Sequence, residues 1–256
     1  MSRIIAVANQ KGGVGKSTTA INLSACLAEQ GKLVLTIDID PQGNTTSGLG
    51  VDKYRVDNTL YELLLGEVSV EDVILTNVLK NLDFIPSNMN LSGAEIELIG
   101  MENKEHILKN SLDKIVDYYD YIIMDCPPSL SMLTINALTA ATSVLVPIQC
   151  EYYALEGLSQ LIHTIELVQE RLNQNLSIEG VVFTMYDSRT NLSLQVVDNV
   201  KENLEQNIYH TIIPRNVRLA EAPSYGQPII VYDPRSAGAE SYRLLAKEVI
   251  NREDAE

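Results

Sequence analysis

Short runs of apolar residues alternate along the chain with longer segments in which apolar residues recur every three or four positions. The first run, Ile4-Ile5-Ala6-Val7-Ala8, contains no polar residue, which is typical of a parallel strand buried on both faces. Similar runs predict further strands over residues 32–38, 83–86, 121–125, 143–149, 178–186, 209–214 and 229–231.

The segments between these runs have the apolar spacing of helices. The first helix follows residues 11–18 and ends at Gly31, since glycine is common just after a helix C-terminus. Further helices are predicted over residues 59–65, 70–75, 91–98, 104–118, 133–141, 155–172, 192–204 and 240–251. This alternation predicts an α/β fold with a doubly wound, mostly parallel sheet and helices on both faces. No linker, repeat or low-complexity run divides residues 1–256, so we expect a single domain.

Composition narrows the class of protein. The formal net charge of −15 by itself opposes binding to nucleic acid or anionic membranes, although binding depends on local patches. Tryptophan is absent and phenylalanine occurs twice, which leaves few platforms for base stacking. Three scattered cysteines, Cys26, Cys126 and Cys150, fit a reducing compartment. The N-terminus does not resemble a signal peptide and no apolar run reaches the ~18 residues of a membrane span, so we expect a cytoplasmic protein.

The strongest chemical motif is the loop over residues 9–18, Asn-Gln-Lys-Gly-Gly-Val-Gly-Lys-Ser-Thr, between the first strand and the first helix. Such a loop can direct backbone N–H groups and a helix N-terminus at phosphates. Lys16 adds a point charge for the β- and γ-phosphates, and Ser17 adds a hydroxyl ligand for Mg²⁺. The alternative is a glycine turn with incidental lysines, but strand, glycines, Lys-Ser and helix all agree with a phosphate loop. Gln10 stands where the standard loop has glycine, and the second lysine, Lys11, resembles the deviant Walker A class of P-loop ATPases.

Two aspartates, Asp38 and Asp40, come at the end of the second predicted strand. They lie where open α/β sheets bind ligands, and side chains two residues apart on an extended segment point the same way. Beside a phosphate loop, such a carboxylate suits Mg²⁺ or the positioning of a water molecule. A ribose-binding acid is the alternative, since one follows a dinucleotide loop by about 20 residues. Because the chain has Lys-Ser and no Gly-x-Gly-x-x-Gly, the water role is favoured.

A third motif ends the strand predicted over residues 121–125. Apolar residues lead to Asp125, and Cys126, Pro127 and Pro128 follow it. This is the layout of a Walker B strand, in which the aspartate supports Mg²⁺ through water and the Ser17 hydroxyl. The two prolines force the chain out of the sheet beside the γ-phosphate position. A strand-terminating aspartate before a turn is the alternative.

These motifs, together with two later segments, resemble one family. KGGVGKST, DIDPQGN, YIIMDCPPS, PIQCEYYALEGL and IPRNVRLAEAPSYGQPI are similar, in that order, to segments of the ParA family of chromosome and plasmid partition ATPases. The likeness is greatest to the short chromosomal Soj type, which lacks an N-terminal helix-turn-helix domain. It extends from the first strand to about Lys247.

The resemblance implies a Mg²⁺-dependent ATP hydrolase that works as a dimer. ATP is expected to drive a face-to-face homodimer that binds double-stranded DNA without sequence preference. A centromere-binding partner of the ParB or Spo0J type is expected to stimulate hydrolysis, after which the monomer leaves the DNA. The protein is then cytoplasmic, nucleoid-associated when bound to ATP, and has no membrane partner.

The resemblance also implies roles for individual residues. The catalytic residues are expected to be Lys11, Lys16 and Asp40: Lys11 reaches the partner's nucleotide and Asp40 orients the attacking water. Mg²⁺ is expected at Ser17, Asp40 and Asp125, with the carboxylates acting through water. Arg189 and Arg218 align with arginines used for DNA binding. The residues expected to bind nucleotide are Lys11, Gly12, Gly13, Val14, Gly15, Lys16, Ser17 and Thr18 at the phosphates, and Met185, Pro214 and Asn216 on the adenine side.

DNA binding through these arginines conflicts with the charge of the whole chain. Residues 215–243 carry four arginines and three acidic residues, so this segment is close to neutral while the chain carries −15. A two-fold dimer would present Arg189 and Arg218 twice on one face. The alternative is that both arginines pair with nearby acids.

Three rival interpretations stay open. A MinD-like membrane ATPase needs a basic amphipathic C-terminal helix, whereas residues 251–256 read Asn-Arg-Glu-Asp-Ala-Glu. An electron-transfer protein like the nitrogenase iron protein needs cysteines in glycine-rich loops, which Cys126 does not match. An interaction protein that holds ATP without turnover is disfavoured by the presence of both Lys11 and Asp40.

Overall fold

The computed structural model describes residues 2–151, 154–203 and 207–253, without the side chains of residues 154–156, 192, 199, 201–203 and 253. Within this part of the chain, one sheet is formed by β1 (Arg3–Val7), β2 (Val34–Asp38), β3 (Leu75–Leu79), β4 (Leu82–Ile85), β5 (Tyr121–Asp125), β6 (Ser143–Gln149) and β7 (Ser177–Thr184). The strand order is β3-β4-β2-β5-β1-β6-β7. Neighbouring strands are parallel, except that β3 runs antiparallel to β4 at one edge.

Helices connect these strands and cover the sheet. The α-helices of the described residues are α1 (Lys16–Glu29), α2 (Asn44–Gly48), α3 (Leu60–Leu64), α4 (Val70–Val73), α5 (Leu91–Glu97), α6 (Ile107–Leu112), α7 (Met132–Ala140), α8 (Ala154–Arg171), α9 (Asn191–Asn203), α10 (Val217–Glu221), α11 (Ile229–Tyr232) and α12 (Ala237–Glu253). Helix α1 ends as predicted, because Gly31 takes a left-handed φ of 88° just past its C-terminus.

Two hydrophobic cores lie on opposite faces of the sheet. On β1, Ile4 and Ala6 pack with apolar residues of α3 to α9, while Ile5 and Val7 pack with those of α1 and α12. Successive strand residues point to opposite faces, so a wholly apolar run supplies both cores at once. The predicted doubly wound, mostly parallel α/β fold with helices on both faces is confirmed.

Some local predictions are wrong where the apolar pattern is short. The helix predicted over residues 70–75 ends at Val73, and the edge strand β3 follows at residues 75–79. The helix predicted over residues 104–118 is only regular over α6, with a 3₁₀ turn on either side. Residues 229–231 form the helical turn α11 instead of an extended piece, because the Ile229 N–H is held by the side chain of Asn22 at 2.7 Å. Three apolar residues in a row fit either structure.

The strand predicted over residues 209–214 is replaced by an irregular segment beside β7. It forms isolated bridges, Ile208 to Val181 and Pro214 to Tyr186. Between these bridges, the N–H groups of residues 210 and 211 donate to the carboxylate of Glu248 on α12 rather than to a strand. A side-chain acceptor from a distant helix therefore interrupts the ladder.

Some residues used in the sequence analysis lie outside the described residues. They are Tyr152 and Tyr153 of the segment PIQCEYYALEGL, and residues 254–256 of the C-terminal segment that was compared with a membrane-binding helix. None of the helices that the structure does describe combines the length and apolarity needed to cross a membrane.

The central strands bring three loops to one edge of the sheet. Val7 ends β1 and Asp38 ends β2, and both are register partners of Asp125, which ends β5. The loops that follow these three strands therefore leave the sheet side by side. Open α/β sheets bind ligands at this carboxyl edge.

A buried charge network fastens the opposite end of the sheet. The Glu179 carboxylate on β7 accepts two hydrogen bonds from the Arg3 guanidinium and one each from the hydroxyls of Ser143 and Tyr209. Only 3% of the Glu179 side chain is exposed. Arg3 also donates to the C=O of Val249 and so ties β1 to α12. Removing one member of such a network leaves the others buried and unpaired, which is strongly destabilising.

The substitution Glu179→Ala tests this network. It leaves a largely buried guanidinium and a buried phenol without their shared acceptor, so the free energy of unfolding should fall by about 3–5 kcal/mol in urea denaturation. Glu166→Ala is the matched control, because Glu166 is exposed on α8 and its partner His163 lies 3.7 Å away. That variant should stay within about 0.5 kcal/mol of wild type. Equal losses in both variants would contradict the role given to Glu179.

Candidate functional site

The glycine-rich loop leads from β1 directly into the N-terminus of α1. Gly13 and Gly15 adopt left-handed φ values of 76° and 88°, which only glycine takes without strain. Gly15 is the residue before the helix, and no side chain caps the first turn. The first backbone N–H groups of α1 are therefore free of a side-chain acceptor, which is the arrangement that suits a bound phosphate.

Lys16 lies inside this loop rather than on the surface. The residue is 7% exposed, and its Nζ donates to the C=O of Lys11 at 3.0 Å. Burial lowers the pKa of the Lys16 ammonium, and the nearby Asp125 carboxylate partly opposes that change. The Lys16 ammonium therefore lies against the loop backbone, where water solvates it poorly and a bound anion could contact it.

Lys11 is held differently from Lys16. The Lys11 backbone N–H donates to the side-chain oxygen of Asn9, and the Asn9 amide nitrogen donates to the C=O of Pro147 on β6. Its Nζ forms an ion pair with Glu151 at 2.6 Å, and the two side chains are 34% and 45% exposed. In the single chain, the Lys11 ammonium is therefore at the rim of the site and paired with an acid.

Asp38 and Asp40 have distinct surroundings, although both lie at the carboxyl edge. Asp38 is fully buried, and its carboxylate accepts the N–H and the hydroxyl of Thr46 at 2.7 Å and the N–H of Asp40. Asp40 lies past the end of β2, and among the described residues its carboxylate accepts only the N–H of Gln42. Asp38 is therefore committed to holding the loop, whereas Asp40 retains an oxygen for another partner.

Asp125 has the features of a residue that supports a cation. It is fully buried and its Oδ2 accepts the hydroxyl of Thr45 at 2.7 Å, while Oδ1 has no hydrogen-bond partner. Burial raises the pKa of Asp125, and hydrogen bonds from the hydroxyls of Ser17 and Thr45 partly oppose the increase. Burial and the neighbouring Asp125 charge likewise raise the pKa of Asp38. A buried carboxylate oxygen without a donor, beside the Ser17 hydroxyl, fits Mg²⁺ or a water molecule that it binds.

The described side chains do not form a complete metal site by themselves. No group of three or more His, Cys, Asp or Glu in the described residues could hold a metal ion. This agrees with Mg²⁺ chemistry, because in nucleotide sites Mg²⁺ takes most ligands from phosphates and water and only one or two from the protein.

A second group of residues meets the phosphate loop from β7. The Thr184 hydroxyl donates to the C=O of Val14 at 2.8 Å and fastens the loop to the end of this strand. Met185 follows with a left-handed φ of 49°, which is unusual for a residue with a side chain. Pro214 is paired with Tyr186, so the segment around Pro214 lies next to the same strand end. The structure therefore brings Met185 next to the loop, with its Cε near Gly15, and brings Pro214 next to the same strand end.

Asn216 and Arg218 begin α10, just past Pro214. The Asn216 side chain caps this helix by accepting the N–H of Arg218 at 2.8 Å. Arg218 and Arg189 are exposed, with 55% and 84% of their side chains accessible. Both are paired with acids, as the alternative to DNA binding anticipated. Such exposed ion pairs are weak, so the pairing does not prevent a second anion from competing.

Sequence reasoning missed the hydroxyls that support the site. Thr45 and Thr46 hold Asp125 and Asp38, and the Ser87 N–H in turn donates to the Thr46 hydroxyl. The two threonines directly follow the DIDPQGN segment, so adjacency to that motif was an available signal. Thr184 had none, because its partner Val14 is 170 positions away.

These features are those of one class of enzyme. The first strand of a parallel sheet leads through a glycine-rich loop with a buried lysine into a helix, and an aspartate ends a neighbouring strand. This arrangement is that of a P-loop nucleotide hydrolase. Residues 2–178 match the family model described as AAA domain.

Comparisons with known proteins narrow the class to one family. The chain is 59% identical to the sporulation initiation inhibitor protein Soj of Bacillus subtilis, over 97% of this chain and 98% of that protein. It is 51% identical to the chromosome partitioning protein ParA of Myxococcus xanthus, over 99% of this chain and 89% of that protein. A solved structure, cobyrinic acid a,c-diamide synthase from Mycobacterium smegmatis with bound ATP analog and magnesium, is 38% identical with a TM-score of 0.88, covering 100% of this chain and 97% of that one. The chain belongs to the Soj/ParA family of chromosome-partitioning ATPases.

The hydroxyl network around Asp38 is tested by Thr46→Val. The change removes a donor from a buried carboxylate and an acceptor from the Ser87 N–H, so we expect a loss of stability of about 2–4 kcal/mol in urea denaturation. Thr36→Val is the matched control, since Thr36 is equally buried on β2 and its hydroxyl has no partner. It should be neutral or stabilising. A destabilised control with an unaffected Thr46 variant would overturn the assignment.

Proposed function

We propose that this ATPase acts in chromosome partitioning as an ATP-gated homodimer that binds double-stranded DNA without sequence preference. A ParB- or Spo0J-type centromere-binding partner stimulates hydrolysis, which separates the dimer and releases it from DNA. The protein works in the cytoplasm and associates with the nucleoid in its ATP-bound form. The observation that carries the proposal is the loop that holds two lysines in different settings, Lys16 buried at the phosphate position and Lys11 paired at the rim.

ATP and Mg²⁺ are the ligands that best fit the site. The backbone of residues 12–15 and the first turn of α1 offer N–H groups to the phosphates, together with Ser17 and Thr18. Lys16 supplies a poorly solvated cation to the β- and γ-phosphates. Ser17 and Asp125, with its unpartnered oxygen, and Asp40 would hold Mg²⁺, which neutralises phosphate charge during transfer. The Mycobacterium smegmatis relative, with its ATP analog and magnesium, supports this choice of ligands.

Hydrolysis needs a positioned water molecule more than a covalent catalyst. Asp40 suits this role because its carboxylate accepts only one hydrogen bond from the part of the chain that the structure describes, whereas Asp38 accepts three. The alternative role of ribose binding does not suit Asp38, because its carboxylate is buried and already bound to Thr46. On the adenine side, Met185, Pro214 and Asn216 form the remaining wall of the proposed nucleotide site.

Dimerisation supplies the second cation. Lys11 can leave its ion pair with Glu151 at small cost, because both side chains are partly exposed. In a two-fold face-to-face dimer, each chain then gives one Lys11 to its partner's nucleotide and receives one. A single chain lacks that cation and should turn over slowly, so assembly and catalysis are coupled.

Two substitutions separate hydrolysis from dimerisation. Asp40→Ala keeps the phosphate contacts, so it should form an ATP-dependent dimer that persists, with turnover reduced about 10²-fold through loss of water positioning. Lys11→Ala should bind ATP and remain monomeric. Sedimentation velocity with ATP, ADP and no nucleotide distinguishes these outcomes, with Lys114→Ala, an exposed lysine outside the site, as the control. Normal dimers of the Lys11 variant, or wild-type turnover of the Asp40 variant, would refute the respective role.

DNA binding is assigned to Arg189 and Arg218. Both are exposed and lie on segments that adjoin the nucleotide site, Arg189 after β7 and Arg218 on α10. Dimerisation doubles the number of arginines on one surface, which raises the local potential without changing the net charge per chain. Contacts to phosphates alone carry no sequence preference.

The salt dependence of DNA binding tests this assignment. In the Asp40→Ala dimer with ATP, Arg189→Ala or Arg218→Ala removes two phosphate contacts, so the log–log salt slope should flatten by about 1.8. Binding should weaken equally on unrelated duplexes in filter-binding assays. Arg171→Ala is the control with the same charge change, because Arg171 is the last residue of α8, away from the carboxyl edge. If the dimer ignores DNA at low salt, the net charge dominates and the nucleotide switch serves a protein cargo instead.

A further inference from the structure

Each arginine assigned to DNA is already engaged by carboxylates of its own chain. Arg189 binds Asp187 in a two-pronged ion pair, Nε to Oδ1 at 2.8 Å and Nη2 to Oδ2 at 2.6 Å. Arg218 is shared between Glu221 at 2.9 Å and Asp233 at 3.5 Å. Both arginines thus present a neutralised rather than a free guanidinium to an approaching anion.

The two clusters differ in their balance of charge. Hydrogen bonds from Arg189 lower the pKa of Asp187, and the positive charges of Arg189 and of the nearby exposed Arg215 lower it further. The Arg215 N–H donates to the C=O of Tyr186, which places Arg215 beside the same turn. Arg218 instead faces two acids, and the Tyr232 hydroxyl donates to one of them, Glu221, at 3.1 Å. In the first cluster one acid therefore pairs with one arginine and a second arginine lies nearby, whereas in the second cluster two acids pair with one arginine.

We propose that Asp187, Glu221 and Asp233 are attenuating residues of the DNA-binding surface, which compete with DNA phosphates for Arg189 and Arg218. The inference rests on the proposed DNA binding and deepens it by naming what sets its strength. An exposed ion pair is weak enough for a polyanion to displace, yet every displacement reduces affinity. A single chain gains too little from its few arginines, whereas a dimer engages twice as many. The acids therefore help to restrict DNA binding to the ATP-bound dimer.

At Asp187 the charge can be removed without disturbing the backbone turn. Its Oδ1 also accepts the N–H of Arg189 at 3.0 Å and so shapes the turn. Asparagine retains a carbonyl oxygen at that position, so Asp187→Asn removes the charge and preserves the turn. Glu221→Gln and Asp233→Asn do the same for the second cluster.

The effect of these substitutions is measured as the DNA affinity of the locked dimer, which is the persistent dimer that Asp40→Ala is expected to form with ATP. An exposed ion pair changes an equilibrium by about 1.4- to 5-fold, and a dimer has two copies, so Asp187→Asn should lower the Kd by about 2- to 30-fold. Glu221→Gln alone should have a smaller effect than the pair Glu221→Gln with Asp233→Asn, because Asp233 still holds Arg218 in the single variant. The assay is fluorescence anisotropy on two unrelated duplexes, at several salt concentrations, with Asp40→Ala and ATP throughout.

Two controls identify the source of any gain. Asp113→Asn changes the net charge by the same unit but lies just after α6, paired with Lys109, and should leave the Kd unchanged. In an Arg189→Ala background, Asp187→Asn should lose most of its effect, which isolates the coupling between the two residues.

The possible results separate this inference from the function on which it rests. An unchanged Kd in Asp187→Asn, or a gain matched by Asp113→Asn, would overturn the attenuating role while DNA binding stands. Absence of DNA binding in the locked dimer and in all neutralised variants at low salt would reject DNA binding itself. A gain confined to Asp187→Asn and the second-cluster pair, equal on both duplexes, would support the proposal.

Discussion

Two carboxylates, those of Asp38 and Asp125, are buried side by side at the ends of adjacent strands, and the surrounding residues must compensate their charge. Asp38 and Asp125 are register partners at the carboxyl edge, fully removed from water, and burial raises the pKa of both. Such charges are tolerated only when donors or cations surround them. The chain provides one threonine hydroxyl and two backbone N–H groups to Asp38, one threonine hydroxyl to Asp125, and the ammonium of Lys16 nearby. One Asp125 oxygen remains without a donor, which explains why the edge suits a divalent cation.

This requirement links the fold to the nucleotide site. The central position of β1, between β5 and β6, delivers the glycine-rich loop to the edge where the buried acids end. Thr184 on β7 holds the loop at Val14, and Asn9 of the loop donates to the C=O of Pro147 on β6, so loop geometry depends on strands far away in sequence. A phosphate site that is held from several directions costs little reorganisation when charge develops during transfer.

Charged groups on the surface are held more weakly than charged groups inside the site. The ion pairs of Lys11, Arg189 and Arg218 are partly or largely exposed, so each is weak and can be exchanged for another anion. Inside the site, the pairing of buried charges fixes the structure, whereas the exposed ion pairs at its rim and on the surface can be broken at small cost. A chain with a net charge of −15 can therefore have switchable cationic sites without carrying a basic surface in every state.

The fold class, the phosphate loop, the acids at strand ends and the family could be predicted from the sequence, because apolar runs and motifs are local patterns that need no partner. Which acid accepts three hydrogen bonds, Asp38 rather than Asp40, and which hydroxyls support the acids became visible only in the folded chain. The fold also replaced the predicted strand at residues 209–214, since Glu248 on a distant helix takes its N–H groups. Short apolar segments and charged side chains have several local solutions of similar energy, and contacts with other elements of the fold select among them.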